Sequence, residues 1–256
     1  ILVGADGANS RVARFIGERP TEDRIRALGA VLEVEAATDE HFVHVFVDNE
    51  LAPGWFAWAI PAGNRQVRVG IGNTTTNPRP LRPALHALLD QFAGLFPGAQ
   101  VVSWSGGLIP LYRPAQSYAD NVMLVGDAAR QVKATSGGGI WMALVGARHA
   151  ASTALRALEA QDPSAAMLRE YHAGWTRELG GDLRLGLLLR RAADRLSDRQ
   201  VHHTLQLLDA PVVRTIIQRQ GDIDFPGKLY EGLRSNALVW RVLSTLPWSN
   251  VELEGA

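Results

Sequence analysis

The stretch Asn121–Leu144, NVMLVGDAARQVKATSGGGIWMAL, decides how the rest of the chain is read. Val122–Val125 is an apolar run of strand length, and Gly126-Asp127 breaks it, leaving a carboxylate at the strand's carboxyl end. Open α/β sheets place their ligands at that end. Gly137-Gly138-Gly139 then lets backbone approach a ligand without interference from a Cβ, and Ile140–Leu158 opens a long Ala-rich helix. The free N–H groups and dipole at such a helix start favour negative charge. Taken alone, a Gly-Asp after a strand is a turn, and a triple glycine is a flexible connection. Together, flanking one short loop between a strand and a helix, they predict a site for an anionic or polyhydroxylated ligand.

At 256 residues the chain can form one large or two small domains with a sizeable core. Lys+Arg and Asp+Glu are both 26, so no net basic field draws nucleic acid, and none is expected as a partner. Cysteine is absent, which excludes thiol catalysis, disulfides and thiolate metal sites and favours an intracellular, cytoplasmic location. No apolar run reaches the roughly 18 residues needed to span a bilayer. The chain opens at Ile1 inside an apolar strand running into Gly4-Ala5-Asp6-Gly7, which predicts a carboxy-terminal portion of a longer protein.

Ile1–Ala13 reads as strand, Gly/Asp turn and a helix capped by Asn9 or Ser10, with Arg11 and Arg14 either pairing with phosphate or lying on a solvated face. From Arg26 to about Gly72 the pattern alternates, as in Ala30–Ala36, with β-branched and aromatic runs at His41–Val47, Trp55–Ile60 and Val67–Ile71. This predicts a mostly antiparallel sheet. Within Pro53–Pro61, PGWFAWAIP, Phe56, Trp58 and Ile60 share one strand face, which by pattern alone is core. His41 and His44 fall on opposite faces, and no third ligand gives metal spacing, so no metal site is expected. Leu81, Leu85, Leu88, Leu89 and Phe92 have helical spacing stopped by Pro97-Gly98, and Gln100–Pro110 returns as a strand.

After Ile140 the chain reads as helical throughout. The predicted helices run from Pro163 to Gly180-Gly181, then over Asp182–Leu196, Val201–Asp209, Pro211–Gln220 and Phe225–Leu246. Arg184, Arg190, Arg191 and Arg195 read as a solvated face opposite a Leu185, Leu188 and Leu189 core, the alternative being contact with a phosphate head group.

Gly126-Asp127-Ala128-Ala129 with Thr135–Ile140 resembles the second flavin-binding motif of FAD-dependent oxidoreductases with the p-hydroxybenzoate hydroxylase type of fold, and especially the geranylgeranyl reductase family. Gly4-Ala5-Asp6-Gly7 with Ser10 and Val12 is similar to the first Asp-Gly motif of that group. Phe56, Trp58, Ile60 and Pro61 resemble the Tyr-x-Trp-x-Phe-Pro motif of geranylgeranyl reductases, and Val67–Gly72, Gly106–Pro110 and Gly221–Pro226 resemble further family segments. Arg130 and Ala134 depart from the Gly and Pro common in the family, and Phe56 stands where Tyr is usual, so no role of a phenol is carried over.

The resemblance implies an α/β (α+β) chain, part of an FAD-binding fold with a mostly antiparallel substrate sheet and a helical carboxy-terminal region. It places the FAD-binding part in residues 1–25 and 119–160, the substrate sheet in 26–118 and the helical region in 161–256. It implies FAD as cofactor, with Asp127 on a ribityl hydroxyl between Gly126 and Ala128. Gly137, Gly138, Gly139 and Ile140 would lie against the pyrimidine edge of the isoalloxazine, and Asp6 and Gly7 near the pyrophosphate. Phe56, Trp58, Ile60 and Pro61 would line the cavity for an isoprenoid chain. The implied reaction is hydride transfer from reduced FAD to a carbon-carbon double bond of an isoprenoid lipid, with no proton donor assigned.

Two alternatives stand beside it: a flavin-dependent aromatic monooxygenase or halogenase, and a non-catalytic fragment or one chain of a two-chain flavoprotein, because no amino-terminal G-x-G-x-x-G unit is present. The expected partners are an apolar small-molecule substrate, a missing amino-terminal segment or partner chain, a second copy through an exposed sheet edge, and a membrane periphery.

Overall fold

The alternation read from Arg26 becomes one compact unit, and the strand-loop-helix read from Asn121 belongs to a second. The computed structural model describes residues 1–19, 24–35, 39–222 and 224–237. In chain order the elements are β1 (Leu2–Gly4), α1 (Arg11–Phe15), β2 (Arg24–Glu33), β3 (His44–Phe46), β4 (Ala57–Pro61), β5 (Gln66–Thr74), α2 (Leu81–Gln91) and β6 (Gln100–Pro110). There follow β7 (Tyr118–Ala119), β8 (Val122–Leu124), α3 (Ile140–Glu159), α4 (Ala165–Ala193), α5 (Asp198–Leu208), α6 (Pro211–Gln220) and α7 (Pro226–Ser235). They form two compact units, one within residues 22–109 and the other from residues 1–21 with 110–256.

The first unit is a five-stranded sheet in the order β3-β4-β5-β2-β6. The pairs β2–β5, β4–β5 and β3–β4 are antiparallel, with Gly29 opposite Gly70 and Trp58 opposite the same Gly70. One face closes on α2: Ala57, Ala59, Val67, Val69 and Ile71 pack with Leu85, Leu88 and Phe96. Because strand side chains alternate, the buried Ala57 and Ala59 turn Trp58 and Ile60 to the opposite, partly exposed face. The apolar pattern of that strand therefore does not mark core, contrary to its plain reading. Pro53–Pro61 is also not one strand. Gly54 takes a left-handed φ of 65° in a turn, and β4 begins only at Ala57.

Glycines make room for the two indoles. A Cβ built at Gly70 would stand 2.2 Å from Trp58 Cζ2, and one at Gly72 2.4 Å from Trp55 Cδ1. Gly70→Ala is therefore expected to displace the Trp58 ring and destabilise the unit by roughly 1–3 kcal/mol, the usual cost of overpacking. Urea unfolding combined with tryptophan emission checks both effects.

The second unit holds a three-stranded sheet, order β1-β8-β7, in which β1 runs parallel to β8 with Leu2 opposite Val122 and Gly4 opposite Leu124. Gly4 is confined between Val12 and Leu124, which brings α1 close against the sheet. Of the two capping residues read from sequence, Ser10 is the N-cap of α1, its Oγ accepting from the Ala13 N–H at 2.8 Å.

The long helix α4 corrects one boundary. Gly180-Gly181 does not end a helix, and α4 continues for 29 residues from Ala165 to Ala193. Leu168, Tyr171, Trp175, Leu179, Leu183 and Leu187 form one buried stripe along it. Burying a side chain of this kind contributes about 1.5–3 kcal/mol, which outweighs the roughly 1 kcal/mol a helical glycine costs. Leu183 and Leu187 fill the core rather than the half-exposed Leu189. Ser197 and Gln200 form a capping box that starts α5 three residues earlier than the apolar pattern indicated. The reading of a helix over Phe225–Leu246 falls partly on residues 238–246, and that of alternation through Ala36 on residue 36, which lie outside the described residues.

Candidate functional site

At the end of β8 the chain turns sharply because Gly126 adopts a left-handed φ of 66°. A buried polar network holds this turn. The Gly126 N–H donates to Gln131 Oε1 at 2.8 Å, Gln131 Nε2 donates to the Tyr171 phenol at 3.0 Å, and Tyr171 donates to the Leu124 carbonyl. Gln131 is 0% exposed, and a Cβ on Gly146 of α3 would meet it at 2.2 Å, so a glycine is required there. Burial pushes the Tyr171 phenol far up, and it stays a neutral donor. Arg130, where the sequence departs from Gly, takes a left-handed φ of 57° that glycine adopts at less cost. Its guanidinium pairs with Glu18 at 3.2 Å and donates to the Arg19 carbonyl.

Asp127 sits on this turn, partly buried, with Gly126 and Ala128 buried on either side. Its carboxylate accepts no hydrogen bond among the described residues, and burial alone pushes its carboxyl above the ordinary range. A Cβ built at Gly139 would stand 3.3 Å from Asp127 Oδ1, which places the carboxylate beside the start of α3. Gly139 is the N-cap of that helix and no side chain caps it. Ile140 is 83% exposed at the first turn, with Trp141 and Leu144 also exposed. A desolvated acceptor thus stands next to an uncapped helix N-terminus rimmed by apolar groups. Such a site takes a hydroxyl on the carboxylate and an electron-rich edge on the free N–H groups.

The loop between them is held by backbone bonds and by a side chain whose role there the sequence pattern did not show. Lys133 N–H donates to the Gly138 carbonyl and Gly137 N–H to the Lys133 carbonyl, both at 3.0 Å, closing a small ring in which Gly137 has a φ of 72°. Arg190, 8% exposed, donates to the Ala134 carbonyl at 3.2 Å and pairs with Asp194 at 2.8 Å. It is therefore a buried support of this loop and not part of a solvated face; Arg184, Arg191 and Arg195 are exposed.

The first Asp-Gly turn lies at the same end of the sheet, since β1 and β8 are parallel neighbours and the Val125 N–H donates to the Gly4 carbonyl at 2.9 Å. Asp6 is occupied locally: its carboxylate accepts from Ser10 Oγ at 2.5 Å and from the Arg11 N–H at 2.7 Å. These bonds, Ser10 first, hold its carboxyl below the ordinary range. Gly7 follows with a φ of 78°. Asp6, Gly7, Gly126, Asp127, Ala128, Gly137, Gly138, Gly139 and Ile140 thus belong to one unit. Phe56, Trp58, Ile60 and Pro61 belong to the other, where the Phe56 and Trp58 rings meet edge-on at 6.0 Å.

Solved structures share this fold. A geranylgeranyl bacteriochlorophyll reductase-like protein from Thermoplasma acidophilum superposes with a TM-score of 0.81 at 22% identity, over 96% of this chain and 62% of that one. A flavin-dependent brominase superposes at 0.64 with 18% identity over the same shares, 96% and 62%. The family model of the geranylgeranyl reductase catalytic domain matches residues 25–108, nearly the whole of the sheet unit. Digeranylgeranylglycerophospholipid reductase 2 of Methanopyrus kandleri is 30% identical over 229 residues, covering 85% of this chain and 57% of that protein. Residues 25–108 thus match the geranylgeranyl reductase catalytic domain, and over most of its length the chain is similar to digeranylgeranylglycerophospholipid reductases. It spans a little over half the length of the curated relatives it matches.

Proposed function

We propose that this chain carries part of the flavin site and the substrate sheet of an FAD-dependent reductase that saturates carbon-carbon double bonds of an isoprenoid lipid. One observation carries the flavin half of the reading: the partly buried Asp127 carboxylate, without a hydrogen-bond partner among the described residues, beside the uncapped N-terminus of α3. The match of residues 25–108 to the geranylgeranyl reductase catalytic domain and the lipid named for the similar proteins support the substrate half.

Bound reduced FAD supplies the hydride. The chain's own residues would hold and orient it. Asp127 would accept from a ribityl hydroxyl, and the N–H groups of Gly139 and Ile140 would face the pyrimidine edge, where reduction places negative charge. Gly137 and Gly138 leave that approach free of side chains, and the turns at Asp6-Gly7 and Gly126 bring backbone to the cofactor's phosphate side. On this reading residues 1–25 and 119–160 hold FAD, and residues 26–118 receive the substrate. Trp58 and Ile60, turned away from the core, with the Phe56 ring edge-on to Trp58 and Pro61 closing the strand, offer the apolar surface a prenyl chain needs. A lipid of this class resides in membrane, so the protein would work from the cytoplasm at a membrane periphery.

The likeness to a flavin-dependent brominase keeps a second reading in view, halogenation or hydroxylation of an aromatic substrate. Product analysis separates them. With FAD, dithionite and a prenylated glycerophospholipid, the expected product gains one H₂ per double bond. Unchanged lipid, together with a halogenated or oxygenated aromatic product under oxygen, would overturn the reductase reading.

A further inference from the structure

We propose that Lys133 and Asp224 are a positioning pair through which the segment before α7 holds the Gly137–Gly139 loop in its ligand-ready shape. The proposal rests on the flavin reading of that loop. Lys133 is only 9% exposed, and a cation so placed needs a partner. Its Nζ lies 2.5 Å from Asp224 Oδ1, across 91 residues of sequence. Its stem runs along Gly138, where an added Cβ would come within 2.5 Å of Cε. The absence of a side chain at Gly138 therefore serves the lysine as well as any ligand.

Asp224 is itself held in place. Asp222 Oδ1 accepts from the N–H groups of Asp224 at 2.8 Å and Phe225 at 3.2 Å, shaping the turn. One residue into α7, the Gly227 N–H donates to Asp182 Oδ1 of α4 at 2.8 Å. The turn is thus anchored to α4 at one point and to the glycine loop at another. Asp224, in a segment that sequence alone leaves without chemistry, supplies an acceptor for Lys133, and Lys133 is joined to Gly137 and Gly138 through two backbone hydrogen bonds.

Hydrogen exchange on Asp224→Ala, Lys133→Met and the double variant tests the pair, alongside FAD titration. Exchange across residues 133–139 is expected to quicken about tenfold in each single variant, with no further change in the double, as for two contacting residues that act as one unit. Exchange in β8, which belongs to the same unit, stays at the wild-type rate and reports an intact fold. Where Asp224→Ala does not fold, the isosteric Asp224→Asn takes its place. Loop protection unchanged by loss of Asp224, or additive effects in the double variant, would overturn the proposal. The FAD dissociation constant is expected to rise about tenfold in the same variants. Quickened loop exchange in a protein whose wild type takes up no FAD would leave the pair standing and sink the flavin reading instead.

Discussion

Asp127→Ala is expected to weaken FAD binding roughly 10- to 100-fold, about 1.5–3 kcal/mol, the worth of a hydrogen bond to an ionised acceptor. Flavin fluorescence titration measures it directly. The same carboxylate carries a cost when no ligand is bound, because burial raises its pKa and nothing compensates. Below the ordinary carboxylate pKa both folded and unfolded chains are protonated and there is no penalty. As pH rises from that value through the raised folded one, the unfolded chain gives up its proton first and stability falls; above the raised value the loss is constant. Asp127→Asn removes that dependence. The ligand-free variant should therefore be more stable than wild type at neutral pH while binding FAD more weakly. Thermal unfolding without ligand across the acid-to-neutral range checks the sign, and a variant less stable at neutral pH would show that Asp127 has a structural partner.

Gln131→Ala is expected to produce the largest loss of stability, about 2–4 kcal/mol. It leaves the Gly126 N–H without its acceptor inside the fold, an effect of about 1–3 kcal/mol, and opens a cavity beneath α3. It also deprives Tyr171 of its donor partner, although the phenol keeps the Leu124 carbonyl. A urea midpoint that falls at constant slope identifies a loss of this kind. A cost below about 1 kcal/mol would mean that the turn bearing Asp127 is held by its backbone bonds alone.

The backbone of the candidate site was legible where its requirements are local. Gly126 and Gly137 hold left-handed backbone, and Gly139 leads directly into the helix, so spacing along the chain was enough to find them. The supports were not legible, because their partners are distant in sequence. Lys133 meets a carboxylate 91 positions on, and Gln131 meets a phenol 40 positions on. Arg190 carried a misleading signal: three other arginines near it are exposed, and only the fold reveals that its neighbour is the Ala134 carbonyl. In the sheet unit the alternation gave the strands and the glycines but not the facing of Trp58, since small alanines, not aromatics, fill the core side of β4. Gly180-Gly181 failed as a helix stop for the converse reason, that a buried stripe longer than any local window overrides two glycines.

The most direct test of the flavin site is gel filtration of the protein after mixing with FAD, followed in the visible flavin band. A yellow peak is predicted to travel with the wild-type protein and to be depleted in Asp127→Ala, while a change at the exposed Arg191 leaves it intact. Flavin that elutes entirely as free cofactor, or that travels equally well with Asp127→Ala, would contradict the assignment of this turn and helix start as its binding site.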